Sequence, residues 1–248
     1  MTQASVRQQL TANERIFVAL DLSTTDAARE AMAALSGTGV GFKVGLQLFT
    51  AAGPDIVREI SEAGHRVFLD LKFHDIPNTV ASAVAEAANL GVWMMNVHAL
   101  GGREMLTRAS GHLGEVCDRH GIDRPRLIGV TVLTSSDDDT LSAVGVTGGV
   151  DETVIRLASL ASECGLDGVV ASARESRGIR EAIADRDFLI VTPGIRPAVA
   201  TKDDQRRVTT PADALAAGSD YLVIGRPILG APDPAKALAQ ILDEIGAA

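Results

Sequence analysis

Short apolar runs separated by longer amphipathic stretches recur along the whole chain. Each run is four to six residues long, and most are rich in Val, Ile and Leu. Runs of this length and composition are typical of strands that are buried on both faces. They fall at residues 16–20, 41–44, 66–71, 93–98, 127–132, 168–171, 189–192 and 221–224. The pattern therefore predicts eight strands.

The stretches between these runs place apolar residues at the spacing of an amphipathic helix. The clearest examples are residues 26–35, 54–63, 79–89, 151–164 and 174–184. Strands that alternate with helices form right-handed βαβ units, and eight units in 248 residues favour closure into a barrel. We predict an α/β fold, a single-domain (β/α)8 TIM barrel over residues 15–248, after an N-terminal extension over residues 1–14. The alternative is an open doubly wound sheet.

Two long segments interrupt this alternation, residues 134–149 and 193–209. The first contains three consecutive aspartates, Asp137 to Asp139, which indicate either a solvated loop or the start of a helix. Long loops that follow barrel strands often act as lids over a site. We therefore expect residues 193–209 to close over a bound ligand.

Composition and charge narrow the class of partner. Apolar residues make up 46% of the chain and aromatic residues only 3%, so the core must be mainly aliphatic. A net charge of −9 without a basic stripe argues against nucleic acid as a partner. No stretch reaches the ~18 apolar residues of a membrane span, so we expect a cytoplasmic protein with no membrane partner. Cys117 and Cys164 have no metal-binding or CxxC spacing and are expected to be reduced, partly buried thiols.

Unusual polar residues stand at or near the carboxyl ends of the predicted strands, where barrel enzymes carry their active sites. They are Asp21, Lys43, Asp70, Lys72, Thr134, Arg196 and Arg226. Asp70 and Lys72 are two residues apart, so both side chains should point into the barrel mouth. Lys43 approaches from the neighbouring strand, and Asp75 lies just beyond in the loop. Two cations alternating with two anions keep all four ionised in a partly dry site, although an ordinary ion-pair network at the rim has the same spacing.

The eighth predicted strand leads into residues 225–228, which read GRPI. Glycine allows the backbone to approach a ligand, proline suits the first turn of a helix, and arginine adds a forked cation. Barrels often bind phosphate at this position, so the motif indicates a phosphate site, with a simple strand-to-helix turn as the alternative. The five histidines lack metal-ligand spacing, and no metal site is predicted. His98 ends the fourth strand, where it could either line the barrel mouth or be a hydrogen-bonded structural histidine.

Residues 70–79 read DLKFHDIPNT and closely resemble the signature of the orotidine 5′-phosphate decarboxylase family. Other blocks resemble that family's motifs in the same order along the chain. They are ALD at residues 19–21, KVG at 43–45, TVLTS at 131–135, PGIRP at 193–197 and GRPI at 225–228. The resemblance spans nearly all of the chain after residue 14, and its ten-residue run is highly specific.

The resemblance implies an enzyme that converts orotidine 5′-monophosphate to UMP and carbon dioxide, the last step of UMP synthesis, without metal or organic cofactor. It implies that Lys72 is the proton donor and that Asp70 is its partner beside the substrate carboxylate. Asp75 and Thr79 resemble residues that the family supplies across a homodimer interface. The remaining implied contacts are Asp21 and Lys43 to the ribose, Thr134 to the pyrimidine, and Arg196, Gln205, Gly225 and Arg226 to the phosphate.

Two other functions share part of this pattern. A magnesium-dependent sugar-phosphate lyase or aldolase on the same barrel resembles it in an Asp-x-Lys-x-x-Asp run, but residues 76–79 favour the nucleotide enzyme. A noncatalytic nucleotide-phosphate sensor would keep Gly225 and Arg226 and lose Lys72 or Asp70. Both of the latter residues are present here.

Overall fold

A computed structural model describes residues 10–197 and 209–246 of the chain, and eight parallel strands in it form a closed barrel. The strands are β1 Ile16–Ala19, β2 Gly41–Gly45, β3 Val67–Phe73, β4 Met94–His98, β5 Arg126–Val130, β6 Gly168–Val170, β7 Leu189–Pro193 and β8 Tyr221–Ile224. Each strand pairs with the next in sequence, and β8 pairs with β1. The eight predicted strands and the (β/α)8 barrel are confirmed, and the open sheet is excluded.

Helices follow the strands and cover the outside of the barrel. They are α1 Thr25–Ala34, α2 Leu46–Ala52, α3 Asp55–Glu62, α4 Pro77–Ala88, α5 Gly102–His120, α6 Asp138–Ala143, α7 Val150–Glu163, α8 Ala173–Ala182, α9 Pro211–Ala216, α10 Arg226–Leu229 and α11 Pro234–Gly246. The five helical stretches predicted from apolar spacing correspond to α1, α3, α4, α7 and α8. In α3, for example, Ile56, Val57 and Ile60 are buried, which is the face that the spacing indicated.

The segment predicted to be irregular after β5 contains the short helix α6. Its N-terminus is capped by Asp137, whose side chain accepts a hydrogen bond of 2.9 Å from the backbone N–H of Thr140. Leu141 is buried and fixes the helix to the barrel. The acidic run is therefore a helix start, the second of the two interpretations that the sequence allowed, and its carboxylates are favourable beside the positive end of the helix dipole.

The core consists of an interior layer inside the barrel and an outer layer between the strands and the helices. Phe17, Phe68 and Tyr221 fill the interior and are almost fully buried, and the ring of Phe17 lies within 6 Å of both others, at 5.9 and 5.8 Å. The outer layer is mainly Val, Ile, Leu and Ala, as the composition predicted. Leu10, from the N-terminal extension, packs against the interior layer. Since the interior is filled with side chains, the open end available for chemistry is the barrel mouth.

Strand β3 is irregular where it carries the charged residues. Its pairing with β4 runs from Leu69 opposite Met95 directly to Phe73 opposite Val97, which leaves an irregularity in β3 between these two pairs. Lys72 lies within this stretch and has a φ of 53°, a left-handed conformation that residues with a side chain rarely adopt. The predicted alternation is retained, because Asp70 and Lys72 face the mouth while Leu71 packs against the outer layer.

Candidate active site

A cavity of about 810 Å³ opens at the carboxyl ends of the barrel strands. Its volume is typical of sites for small molecules. Polar residues predicted from sequence line it together with apolar residues such as Val130, Ile195 and Val223. The predicted residues in its wall are Asp21, Lys43, Asp70, Lys72, Thr134, Arg196, Gly225 and Arg226. The fold therefore brings into one cavity side chains that are up to 205 positions apart in the sequence.

Charges of alternating sign form a chain along the β1 to β3 side of the cavity. Lys43 Nζ lies 2.9 Å from Asp21 Oδ1 and 3.5 Å from Asp70 Oδ2, and Lys72 Nζ lies 2.6 Å from Asp70 Oδ1. Lys43 is only 6% exposed, so its charge depends on the carboxylates at its two sides to offset desolvation. Among the described residues, Lys72 forms an ion pair with one carboxylate, that of Asp70. The Lys72 ammonium is the last member of this row of charges and faces the cavity.

Gly45 at the end of β2 leaves room for the first of these pairs. A Cβ atom at this position would lie 2.8 Å from Lys43 Nζ and 3.2 Å from Asp21 Oδ1. The ammonium would have to move, because atoms essentially never approach a Cβ atom this closely. A glycine at the end of β2 is therefore part of how the sequence builds the charge chain, and not only a flexible residue at a helix start.

Two arginines line the β7 and β8 side of the same cavity. Arg196 follows β7, and Arg226 begins α10 directly after Gly225. Within residues 10–197 and 209–246, neither guanidinium forms an ion pair with a carboxylate. Two cations without an ion-pair partner in the described residues, in a chain of net charge −9, mark a position for an anionic group. The cavity thus offers an anion site at one side and an alternating charge chain at the other.

Across the described residues, no group of three or more His, Cys, Asp or Glu side chains is arranged to hold a metal ion. Cys117 and Cys164 are buried free thiols, as their spacing predicted. None of the described helices is both long and apolar enough to cross a membrane.

Comparison with known proteins places the chain in a family. Residues 14–241 match the model of the Orotidine 5′-phosphate decarboxylase / HUMPS family. The chain belongs to this family. Curated proteins named orotidine 5′-phosphate decarboxylase from Geobacter sulfurreducens and Vibrio campbellii are 56% and 50% identical to it, over 94% of this chain and over 97% and 98% of theirs. The crystal structure of orotidine 5′-phosphate decarboxylase from Lactobacillus acidophilus aligns with a TM-score of 0.83 and 39% identity, covering 94% of this chain and 99% of that one.

Membership of the decarboxylase family confirms the resemblance that the sequence motifs indicated. Two of the predicted positions, Asp75 and Thr79, lie elsewhere than in the cavity wall of this chain. Asp75 and Thr79 are exposed, and Asp75 Oδ1 accepts a hydrogen bond of 2.7 Å from the backbone N–H of Ile76. Within one chain, the fourth member of the alternating set is therefore Asp21 instead of Asp75. Gln205 lies outside the described residues.

The decarboxylase-family site also contains an amide that the sequence analysis missed. Asn96 on β4 is fully buried and forms hydrogen bonds to both Asp70 and Lys72. The sequence feature that could have indicated Asn96 is a single amide in an otherwise apolar predicted strand, next to the strand that carries the charged residues. By itself, such an amide is equally typical of a structural hydrogen bond in a core.

His98 ends β4 beside the charge chain, and its ring stacks on that of His74 with centroids 5.3 Å apart. Burial lowers the pKa of His98 from its ordinary value of 6.5, and the nearby His74 and Lys72 lower it further. Its Nδ1 atom is buried and has no hydrogen-bond partner among the described residues. Folding of this chain therefore favours the neutral form of His98 at the edge of the site.

We expect the lowered pKa of His98 to make unfolding easier in mild acid. The unfolded chain binds a proton near pH 6.5 while the folded chain does not, so the free energy of unfolding decreases as the pH falls from 6.5 to the folded pKa. Chemical denaturation at fixed protein concentration measures it. His98→Gln should remove this part of the pH dependence, whereas His120→Gln, an exposed histidine on α5, should not. Identical pH profiles for the wild type and His98→Gln would contradict the prediction.

Proposed function

We propose that this protein decarboxylates orotidine 5′-monophosphate to UMP and carbon dioxide, the last step of UMP synthesis. The observation that carries the proposal is the Asp70–Lys72 pair, with 2.6 Å between Oδ1 and Nζ, in the same cavity as Arg226. One side of the cavity suits a reacting centre and the other suits a phosphate. The curated relatives that are 50% to 56% identical and named orotidine 5′-phosphate decarboxylase support the choice of substrate.

Lys72 is the proposed proton donor. Loss of carbon dioxide breaks the bond between C6 of the pyrimidine and its carboxyl group and leaves an electron pair on C6. This pair lies in the plane of the ring, which delocalises it poorly, so a fixed cation beside C6 stabilises the transition state. The Lys72 ammonium then donates its proton to C6, and the neutral amine regains a proton from solvent after UMP leaves.

Asp70 is the proposed partner of Lys72 beside the substrate carboxylate. Its side chain is 15% exposed and lies between the two lysine ammonium groups. A carboxylate there orients Lys72 and disfavours the substrate carboxylate more than the transition state, in which negative charge has moved to C6. The lysines offset the cost of keeping Asp70 ionised in this partly buried position.

The remaining residues in the cavity wall are proposed to bind the rest of the nucleotide. Asp21 and Lys43 would bind ribose hydroxyls, since one accepts and the other donates hydrogen bonds. Thr134 follows β5 and would contact the pyrimidine. Arg196, Gly225 and Arg226 would hold the phosphate, with Gln205 as a further contact. A phosphate held at that side would supply binding energy for the reaction at C6. The lid predicted over residues 193–209 falls mostly outside the described residues, because the structure describes only 193–197 and 209 of it.

We expect Arg226→Ala to lower kcat/KM for orotidine 5′-monophosphate by roughly 10²-fold, because a charge-assisted bidentate contact to the phosphate contributes about 1.5–3 kcal/mol. Steady-state kinetics measure the loss. For orotidine, which lacks the phosphate, the same substitution should leave kcat/KM nearly unchanged. Arg177→Ala on α8 is the control for loss of an arginine outside the cavity wall. Equal losses on nucleotide and nucleoside would argue against a phosphate contact.

The proposed active form is a homodimer in which each subunit supplies Asp75 and Thr79 to its partner's site. Both residues are exposed, and neither lines the cavity of its own chain. Leu46, Ile76 and Leu100 follow β2, β3 and β4 at the same end of the barrel and are 57%, 67% and 42% exposed. Large apolar side chains grouped beside a polar cavity are typical of a surface that is covered by another protein.

Metal removal distinguishes this reaction from that of a magnesium-dependent lyase or aldolase. Since a lysine is the proposed proton donor, we expect dialysis against EDTA to leave the rate of decarboxylation within about twofold of its starting value. The measurement is the initial rate before dialysis, after it, and after magnesium is added back. Loss of activity in EDTA with recovery on adding magnesium would favour the lyase or aldolase.

A further inference from the structure

The amide of Asn96 holds both residues of the Asp70–Lys72 pair from below the cavity. Its Oδ1 accepts a hydrogen bond of 2.8 Å from the backbone N–H of Lys72, and its Nδ2 donates one of 2.7 Å to Asp70 Oδ1. Asn96 is 0% exposed and does not line the cavity. It therefore has no surface with which to contact a ligand, and any effect on the reaction acts through its two partners.

The first bond fixes the backbone that carries Lys72. The register break between β3 and β4 occurs here, and Lys72 has the left-handed φ of 53°. The backbone N–H of Lys72 bonds to a side-chain oxygen where a regular ladder would offer a carbonyl. A conformation that is rare for lysine persists only if its surroundings hold it. The Asn96 oxygen supplies such a constraint, and this conformation sets the direction of the lysine side chain.

The second bond fixes the rotation of the Asp70 carboxylate. Oδ1 accepts hydrogen bonds from both Lys72 Nζ, at 2.6 Å, and Asn96 Nδ2, at 2.7 Å, while Oδ2 faces Lys43 Nζ at 3.5 Å. The amide is neutral, so it orients the carboxylate without changing the balance of charge along the chain. A carboxylate or an ammonium at the same buried position would alter that balance.

We propose that Asn96 is a positioning residue, which sets the backbone of Lys72 and the carboxylate plane of Asp70 so that the ammonium meets the reacting carbon. This inference rests on the proposed decarboxylation. It predicts a loss concentrated in kcat, because the described hydrogen bonds of Asn96 go to Asp70 and Lys72 and to none of the described residues proposed to bind ribose or phosphate. A residue needed only for core packing would instead lower stability and the amount of folded enzyme.

The test compares two variants. Asn96→Leu replaces the amide by an apolar side chain of similar volume and so removes both hydrogen bonds. Asn96→Asp introduces a carboxyl group that can form both hydrogen bonds only when it is protonated. For Asn96→Leu we expect kcat to fall by roughly 10- to 100-fold, as for other residues that orient a functional side chain, and KM to change by less than about threefold. Ser176→Ala on α8 is the control, since it removes a buried hydroxyl whose partners are Ser219 and Ser172, away from the cavity. Its kcat should equal that of the wild type.

The Asn96→Asp variant gives a readout that loss of stability does not reproduce. When protonated, the introduced carboxyl group donates to Asp70 and accepts from Lys72, as the amide does. When ionised it repels Asp70, and both burial and that repulsion raise its pKa. The ratio of its kcat to that of the wild type should therefore approach one in acid and fall by about tenfold or more between pH 5.5 and 8. The other titratable groups near position 96 are Asp70, Lys72, Lys43, His98 and His74, and taking the ratio removes only the pH dependence that the variant shares with the wild type.

The outcomes separate this inference from the proposed function. Wild-type turnover with the kcat loss in Asn96→Leu and the pH-dependent ratio in Asn96→Asp would establish the positioning role. Wild-type turnover with a kcat within threefold in folded Asn96→Leu, or with a ratio for Asn96→Asp that is flat across pH, would overturn that role alone. Absence of wild-type turnover would overturn the proposed function and this inference with it.

Discussion

Replacing Lys72 by alanine is expected to lower kcat for orotidine 5′-monophosphate by at least about 10⁴-fold. Two contributions are lost together. Proton donation by a positioned side chain is worth about 10²–10⁴-fold, and a fixed charge beside a developing anion about 10²–10³-fold. The ammonium of Lys72 is 2.6 Å from Asp70 and faces the cavity. Lys43 is the other lysine beside Asp70, and it could take this place only by leaving its ion pair with Asp21.

The measurement is steady-state turnover of purified Lys72→Ala, with UMP binding to show that the cavity is intact. Lys236→Ala is the matched control, because Lys236 is an exposed lysine on α11 that does not line the cavity. We expect the control to retain the wild-type rate. A Lys72→Ala rate within tenfold of the wild type would show that Lys72 is not the proton donor.

Asp75→Asn is expected to lower kcat/KM by roughly 10²–10³-fold. Part of the activity should return when the variant forms mixed dimers with a subunit that retains Asp75. A carboxylate aimed into a site that excludes water contributes about this much through electrostatics. If each subunit supplies Asp75 to its partner, a dimer of one Asp75→Asn and one Lys72→Ala chain contains one complete site. Random exchange of equal amounts in a two-fold dimer should then recover about a quarter of the wild-type activity.

The control for this recovery is a mixture of Lys72→Ala with Asp70→Asn. These two residues pair within one chain, so every mixed dimer lacks a complete site and no activity should return. Subunits are exchanged by co-expression, and the assembly is followed by light scattering after size exclusion. A Lys72→Ala and Asp75→Asn mixture that stays as inactive as the control would place Asp75 outside the partner's site.

The barrel could be predicted because its signals are local. Each strand is a short apolar run and each helix an amphipathic stretch, and the requirement for right-handed parallel crossovers leaves few arrangements for eight such units. The sequence could not decide between a solvated loop and a helix start at α6, because this helix is six residues long and depends on its Asp137 cap and the buried Leu141. The irregularity in β3 was not predicted because register is a property of two strands together.

The cavity residues could be predicted once the barrel was assumed, because carboxyl ends of parallel strands meet at one mouth. Asp21, Lys43, Asp70 and Lys72 are therefore brought together by the fold in alternating order, with Asp21 in the place that the charge pattern had given to Asp75. Asn96 was not predicted from the sequence, because its hydrogen bond to the Lys72 backbone forms only where the pairing of β3 with β4 is irregular. The place of Asp75 was not settled by spacing, since a residue two positions beyond the end of a strand can face either its own cavity or a neighbouring chain.

We propose that the charge chain ending in Lys72 serves to decarboxylate a pyrimidine nucleotide. The most direct measurement is the ultraviolet absorbance of orotidine 5′-monophosphate during incubation with the purified wild-type protein, with UMP and carbon dioxide quantified at the end. We expect complete conversion, with one UMP and one carbon dioxide formed for each substrate consumed. An unchanged spectrum with folded wild-type protein, or consumption of the substrate without UMP, would contradict the account.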